Sequence, residues 1–370
     1  MAAMVLVFAG TLAQVHQDTH VVQETYFQSW FVWWPAGSNG IKLPVFPGGH
    51  LLGAILLVNL IAAHLQRFQW TWRKLGIHTI HFGLIIMLAG GLFTDLFAVE
   101  SYIRLGSREA KNYSEDPRST ELAVIDETDN QADQVTAIPE HWLRRGGTIE
   151  HNSLPFRIIV RHFYQNSQLQ MVDASAASSE PAADEGAGTR VTVTALPPVT
   201  AIDKRNVASA LIELVPVRET NEVTASSLGT WLVSDALETP QTFVYEGKKW
   251  SLALRRRRYY KPYTLTLQNF THERYPGTDI PKNFESRVTL IDPQQSVDRD
   301  VLIYMNHPLR YRGETFYQSG FDKNDNASIL EVVRNPTFLA PYVACIVVAS
   351  GLLIQFSFHF ISYLRRRKIA

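Results

Sequence analysis

The chain holds 370 residues with 35 basic and 35 acidic side chains, so its formal charge is zero, and 46% of it is hydrophobic. That balance conceals a segregation: residues 100–336 carry 27 basic and 32 acidic groups, net −5, while the apolar remainder carries 8 and 3, net +5. The mildly acidic polar block excludes the concentrated basic surface that nucleic-acid binding requires, and one cysteine, Cys345, excludes an internal disulfide, a CxxC pair or a cysteine-built zinc site.

Taken in chain order, residues 1–15 read as a first transmembrane helix that is truncated, because the run lacks the basic leader of a signal peptide and is shorter than a bilayer requires. Residues 16–49 form an extracytoplasmic loop in which Tyr26, Phe27, Trp30, Trp33 and Trp34 repeat as one helical face ending at Pro35. This predicts a short interfacial helix, an aromatic belt at the headgroups rather than a platform for a cofactor. Residues 50–65 are a second transmembrane helix, 66–76 a cytoplasmic loop with Arg67, Arg73 and Lys74, and 77–99 a third helix. Residues 337–364 are the fourth, and 365–370 a cytoplasmic tail with Arg365, Arg366, Arg367 and Lys368. Short loops rich in Lys and Arg stay inside. The expected fold is therefore a membrane protein with four transmembrane α-helices and one large β-rich extracytoplasmic domain, residues 100–336, between the third and fourth.

Within that block the periodicity changes to two, in runs such as RVTVTAL (190–196), SALIELVPV (209–217), KPYTLTLQNF (261–270) and SRVTLI (286–291). Turn clusters separate them, which predicts antiparallel strands in one or two layers. Asp173–Thr189 has almost no large apolar side chain and is expected to be a mobile loop. Arg255–Arg258 reads either as a site for propionates, lipid phosphates or an acidic partner, or as a solvated edge strand whose charges block edge pairing, the second being preferred. No Ser-His-Asp order, phosphate loop or catalytic carboxylate pair stands in a motif context, so hydrolysis is not supported.

The third span contains His78 and His81, three apart and so neighbours on one helical face. An ionisable ring inside the bilayer marks a functional site by default, and a neutral imidazole bonded to a neighbouring carbonyl is the structural alternative. Gly76, Gly83 and Gly90 recur every seven residues as a small-residue seam where a second helix can approach. His81 lies about 200° around the helix from Gly83 and so points away from that seam, with Ile85, Leu88 and Leu92 continuing its stripe. Asp95 is read as snorkelling to the interface, His64 and His359 as ordinary interfacial placements, and Cys345 as a small buried hydrophobe.

Three segments resemble the ResB/CcsB family of System II cytochrome c biogenesis proteins: GTLAQVHQD with YFQSWFVWW, WRKLGIHTIHFGLIIMLAGGLF running into ESYIRLGSRE, and MNHPLRYRGETFYQSGFD at 305–322. The third is the most specific. The resemblance implies a bacterial cytoplasmic (inner) membrane protein that acts with a tryptophan-rich ResC/CcsA partner, carries haem b transiently across the membrane and supports its attachment to apocytochrome c. It also implies a non-catalytic or co-catalytic subunit of the haem lyase complex, with a thioredoxin-like thiol reductant acting indirectly. The family's transmembrane histidine maps onto His81 as haem-iron axial ligand, with His78 as its neighbour. The NHPLRYRG segment is read as a hairpin that turns at Gly313 and packs through Tyr311, Phe316 and Tyr317. The alternative function is a membrane-tethered β-domain scaffold or sensor without haem handling.

Overall fold

The computed structural model describes residues 1–370 except 16, 18, 37–40, 67–70, 130–131, 173–180, 200–204, 218–226, 278–280, 323–326 and 368–370. The chain divides into two compact units. One comprises Met1–Glu100, Leu309–Phe316 and Val333–Ala370, the other Ser101–Pro308 and Tyr317–Val332.

The first unit is mainly helical. Its helices are α1 (Ala2–Ala13), α2 (Thr19–Val22), α3 (Gly49–Gln66) and α4 (Leu75–Phe97), and it ends in a long helix, Ala340–Arg367. Among the described residues three helices are long and apolar enough to cross a membrane, namely α3, α4 with its leading turn, and Ala340–Arg367. At about 1.5 Å per residue α3 spans about 27 Å, close to the roughly 30 Å of a hydrocarbon core. These helices make the chain an integral membrane protein. The twelve residues of α1 are apolar but fall short of a span.

The closest helix pair is α4 with Ala340–Arg367, and the glycine heptad is the reason. A Cβ at Gly76 would sit 2.7 Å from Gly351 O and Gln355 N, one at Gly83 2.6 Å from a Val348 methyl, and one at Gly90 2.5 Å from Ala340 Cβ. Without side chains at these three positions the backbones meet directly, which is how helices associate where lipid supplies no hydrophobic drive. Thr94 and Thr337 close the far end of the pair by sharing a hydroxyl bond of 2.7 Å.

Between α1 and α3 the structure corrects the expected aromatic helix. A π-helical turn at Gln23–Phe27 ends the helical stretch, and Trp33 and Trp34 lie on strand β1 (Phe31–Ala36), paired antiparallel with β2 (Ile41–Pro47). The spacing of five aromatics imitated a helical face, but Phe-Val-Trp-Trp is a β-prone run, and Pro35, Pro44 and Pro47, which lack an N–H, are tolerated in a two-stranded ribbon. Trp33, Trp34, Leu43 and Val45 are exposed, so the apolar surface remains available to a membrane interface. Gly48 follows the ribbon where a Cβ would sit 2.1 Å from Ser29 O, so the entry to α3 requires a glycine.

The second unit is β-rich. Its larger sheet is built from β3 (Val99–Gly106), β4 (Ala110–Asp126) and β5 (Gln134–Pro139). After helix α5 (Glu140–Arg145) come β6 (Gly147–Ile149), β7 (Phe156–Tyr164), β8 (Ser167–Met171), β9 (Val191–Ala195), β10 (Ser209–Pro216) and β11 (Thr230–Ser234). Then follow β12 (Gln241–Tyr245), β13 (Lys248–Arg274), β14 (Pro281–Asp292) and β15 (Val297–Tyr304), the short β16 (Leu309–Tyr311), and β17 (Glu314–Phe321) and β18 (Ala327–Arg334). The helix Ala340–Arg367 is α6. The large sheet runs β15-β14-β13-β4-β3-β18-β17, with β12 on β13 and β5 on β4; a second sheet runs β11-β10-β7-β6, and β8 pairs with β9.

The core lies between the β5-β4-β13-β12 end of the large sheet and the smaller sheet. Residues two apart supply it: Phe156, Ile158 and Val160 from β7, Ala210, Ile212 and Leu214 from β10, and Trp250, Leu252 and Leu254 from β13. This is the alternation that a half-buried antiparallel layer imposes. Of the one or two β layers expected, two are present.

Two expectations for this unit are corrected. Residues 173–180 of the expected mobile loop lie outside the described residues, but its second half is packed: Gly186–Thr189 forms a 3₁₀ turn, and Ala183 is buried with Val191 and Leu232. Small side chains there allow close approach instead of disorder, since a Cβ at Gly188 would stand 2.4 Å from that of Ala183. The arginine run is not an open edge: Arg257 is exposed, but Arg255 and Arg258 are paired. Arg255 Nε donates to Glu121 at 3.1 Å, Arg258 Nε to Glu115 at 3.2 Å, and the Arg258 guanidinium lies 4.1 Å from the Tyr113 ring centre. Pairing with β4 places these acids opposite the arginines, as in Arg255↔Glu121 and Arg258↔Glu115.

Candidate functional site

α3 and α4 run antiparallel with a short connection, so the last turns of α3 meet the first turns of α4. His64 lies two residues before the end of α3, while His78 and His81 lie three and six residues into α4, about 4.5 and 9 Å along it. The three rings gather at one level. His64 stands 5.2 Å from His78 between ring centres, at 86°, and 5.8 Å from His81, at 66°. All three side chains are half-buried, and His78 Nδ1 is fully buried. The end of the helix pair that carries them is also the end that carries Arg73 and Lys74.

The structure thus places His78 and His81 beside each other on α4 and adds a residue that the sequence reading set aside. His64 was legible as a histidine in an apolar run, but only the pairing of the two helices reveals its neighbours. The half-buried rings are not sealed inside the bundle. Their donor chemistry fits haem, since imidazole nitrogen is an axial ligand of haem iron. A shallow apolar groove formed by Ala54, Ile55, Val58, Asn59 and Ala62 lies elsewhere on α3, with Ala62 about 200° around the helix from His64. It does not open onto the rings.

At the opposite end of the pair, Asp95 is fixed rather than snorkelling. Gln28 Nε2 donates to its Oδ1 at 3.0 Å, and His50, at the start of α3, bonds its Oδ2 through Nε2. Trp30 packs 6.0 Å from the His50 ring. One carboxylate therefore joins α4 to α3 and to the preceding loop, a link invisible while each helix is read alone. His359 is exposed on α6 and contacts Gln355, one turn earlier, at 2.9 Å. Cys345 is exposed on α6, which corrects its reading as a buried hydrophobe: Ala344 beside it takes the buried position.

The NHPLRYRG segment is a hairpin. Arg312 and Gly313 have φ of 46° and 77°, the two left-handed residues of a tight turn matched to strand twist. Leu309 pairs with Phe316 and both are buried, whereas Tyr317 is 39% exposed and does not pack as expected. Arg310 lies 5.7 Å from the Phe338 ring at the approach to α6. Upstream, the His307 ring stacks on Tyr304 at 4.1 Å with Asn306 at φ 63°, a local turn whose histidine packs on its own strand.

A family model described as the ResB-like family matches residues 68–335. The chain is 35% identical over 92 residues to Protein NrfI of Wolinella succinogenes, which is 25% of this chain and 10% of NrfI. It is 38% identical over 77 residues to the cytochrome c biogenesis protein CcsB of Prochlorococcus marinus strain MIT 9313, and 37% over 78 residues to CcsB of Synechococcus sp. strain WH7803. In both of these cases 21% of this chain aligns with 17% of the relative, so the similarity spans between a tenth and about a sixth of these proteins' own lengths. Because the family model covers well over half of the sequence, the chain belongs to the ResB-like family.

Proposed function

We propose that this protein is a subunit of a System II cytochrome c synthase that helps carry haem across the membrane and supports its attachment to apocytochrome c. The observation that carries this reading is the gathering of His64, His78 and His81 at one end of an antiparallel pair of apolar helices. Relatives named as cytochrome c biogenesis proteins point the same way. Haem is the cargo; when held here, its iron would take an imidazole nitrogen, from His81 first and His78 second. The chain's part is to present that nitrogen at the membrane level of α4 and to surround it with apolar side chains that exclude water.

A ResC/CcsA-like tryptophan-rich membrane protein completes the proposed assembly, and apocytochrome c is the acceptor. The only cysteine in the sequence is Cys345, so the thiol reductant belongs to another chain, of thioredoxin-like chemistry. The basic connection after α3 and the basic tail after α6 favour a cytoplasmic side for those ends, with the β-rich unit and the aromatic ribbon on the extracytoplasmic side. A bacterial inner membrane crossed at α1, α3, α4 and α6 accommodates this orientation.

The test is a visible spectrum of the full chain purified with its tryptophan-rich partner. A Soret band that is lost in His81→Ala and retained in His78→Ala is the expected result. A complex that is colourless at full occupancy refutes haem handling and leaves a membrane-tethered scaffold.

A further inference from the structure

We infer that His64 is a positioning residue that decides which of the two α4 imidazoles turns a nitrogen toward iron, an inference that rests on the haem-handling reading above. It is the one ring of the three contributed by α3, and it meets both of the others edge to face, at 5.2 and 5.8 Å between ring centres. A neutral imidazole has one N–H and one lone pair, so a ring placed between two others can bias the tautomer and tilt of each.

The two contacts are unequal. His78 is the nearer, its ring almost perpendicular to that of His64, and its Nδ1 is fully buried. His64 therefore holds His78 inward, and His81, one turn further along α4, is the ring left to present a nitrogen outward. Partners that fix the second nitrogen of a ligand histidine set its tautomer and orientation, and their loss lowers metal affinity by about 10–100-fold. The same range is expected here. His64 touches a ligand rather than the iron, so it acts through geometry.

Three variants separate this role from packing. His64→Phe keeps a ring against both neighbours but removes its nitrogens, His64→Gln supplies polar amide atoms at similar reach, and His64→Asn carries the same amide but is too short to reach. The full chain is examined in two states. In the haem-free state, nitrogen NMR of labelled histidine reports the tautomers of His78 and His81; in the complex with the tryptophan-rich partner, haem titration reports affinity. Altered tautomers and about 10–100-fold weaker haem binding in H64F, both recovered in H64Q, support the proposal. If H64F does not accumulate, the comparison of H64Q with H64N serves in its place. Wild-type tautomers and haem affinity in H64F overturn it. A colourless wild-type complex refutes haem handling itself, and the tautomer measurement still shows whether His64 orders the rings.

Discussion

The glycine seam between α4 and α6 makes a graded prediction, because a new methyl meets a different kind of obstacle at each of two positions. At Gly76 the obstacle is backbone on the opposite helix, Gly351 O and Gln355 N at 2.7 Å, about 0.7 Å inside ordinary contact distance. No rotamer can relieve it, so the helices must separate and lose close packing along the seam. At Gly90 the nearest atom is Ala340 Cβ at 2.5 Å, and the next stands at 3.8 Å. That clash disappears when Ala340 becomes glycine. Overpacking typically costs about 1–3 kcal/mol, while glycine to alanine in a helix returns about 1 kcal/mol of propensity. Those terms leave a net loss of about 0–2 kcal/mol; Gly76→Ala, whose clash no rotamer relieves, should fall at the upper end, about 2 kcal/mol, and Gly90→Ala lower in the range. The double variant Gly90→Ala with Ala340→Gly should return to within about 1 kcal/mol of the native chain, since the clash is gone and the propensity gained at Gly90 is offset only in part at Ala340, the first residue of α6. The measurement is thermal unfolding of the full chain in nanodiscs, read as a double-mutant cycle. Equal stability of Gly76→Ala and the native protein, or failure of Ala340→Gly to rescue Gly90→Ala, would refute direct backbone contact at the seam.

Three further outcomes follow from the same geometry. Asp95→Ala removes the acceptor for Gln28 and His50 and should cost about 1–3 kcal/mol in the same unfolding assay, with Asp95→Asn retaining part of the link; an unchanged midpoint in Asp95→Ala would show that the tie is inert. Phe156, 1% exposed and in contact with Trp250 at 5.2 Å and Phe243 at 5.6 Å, should lose about 3–5 kcal/mol of β-unit stability on truncation to alanine, measured by tryptophan fluorescence in urea. A hydrogen bond from the Thr128 hydroxyl, followed by one from Lys248, holds the Asp126 carboxyl below the usual aspartate value of 3.8. A folded-state value lowered in this way gives stability that is present above 3.8 and lost as pH falls through the lower folded value. Asp126→Asn should thus flatten the acid limb of the β-unit stability curve below about pH 4, and an acid limb identical to that of the native chain would exclude this carboxylate as its source.

What the sequence discloses and what it withholds divide along a physical line. Properties carried by one element at a time are legible: the period of two at Phe156, Ile158 and Val160 marks a buried strand face, and the heptad of Gly76, Gly83 and Gly90 marks a helix contact before any partner is known. Properties created when elements meet are not. β13 runs 27 residues through register shifts near Arg256–Arg258 and Tyr260–Leu265, and its arginines acquire Glu121 and Glu115 only because β4 lies alongside. The aromatic ribbon shows how a local pattern can mislead, since five side chains at helical spacing are satisfied equally by a turn followed by a hairpin, and the proline content and the β-propensity of Phe31–Trp34 decide between them. His64 belongs to the same class as the arginines. On α3 alone it is one polar residue near the end of an apolar run; the antiparallel return of α4 sets it against His78 and His81. The chemistry of the candidate site therefore depends on the α3–α4 pairing more than on any single residue, and a substitution that opens that pair should disturb the three rings together while leaving α4 itself helical.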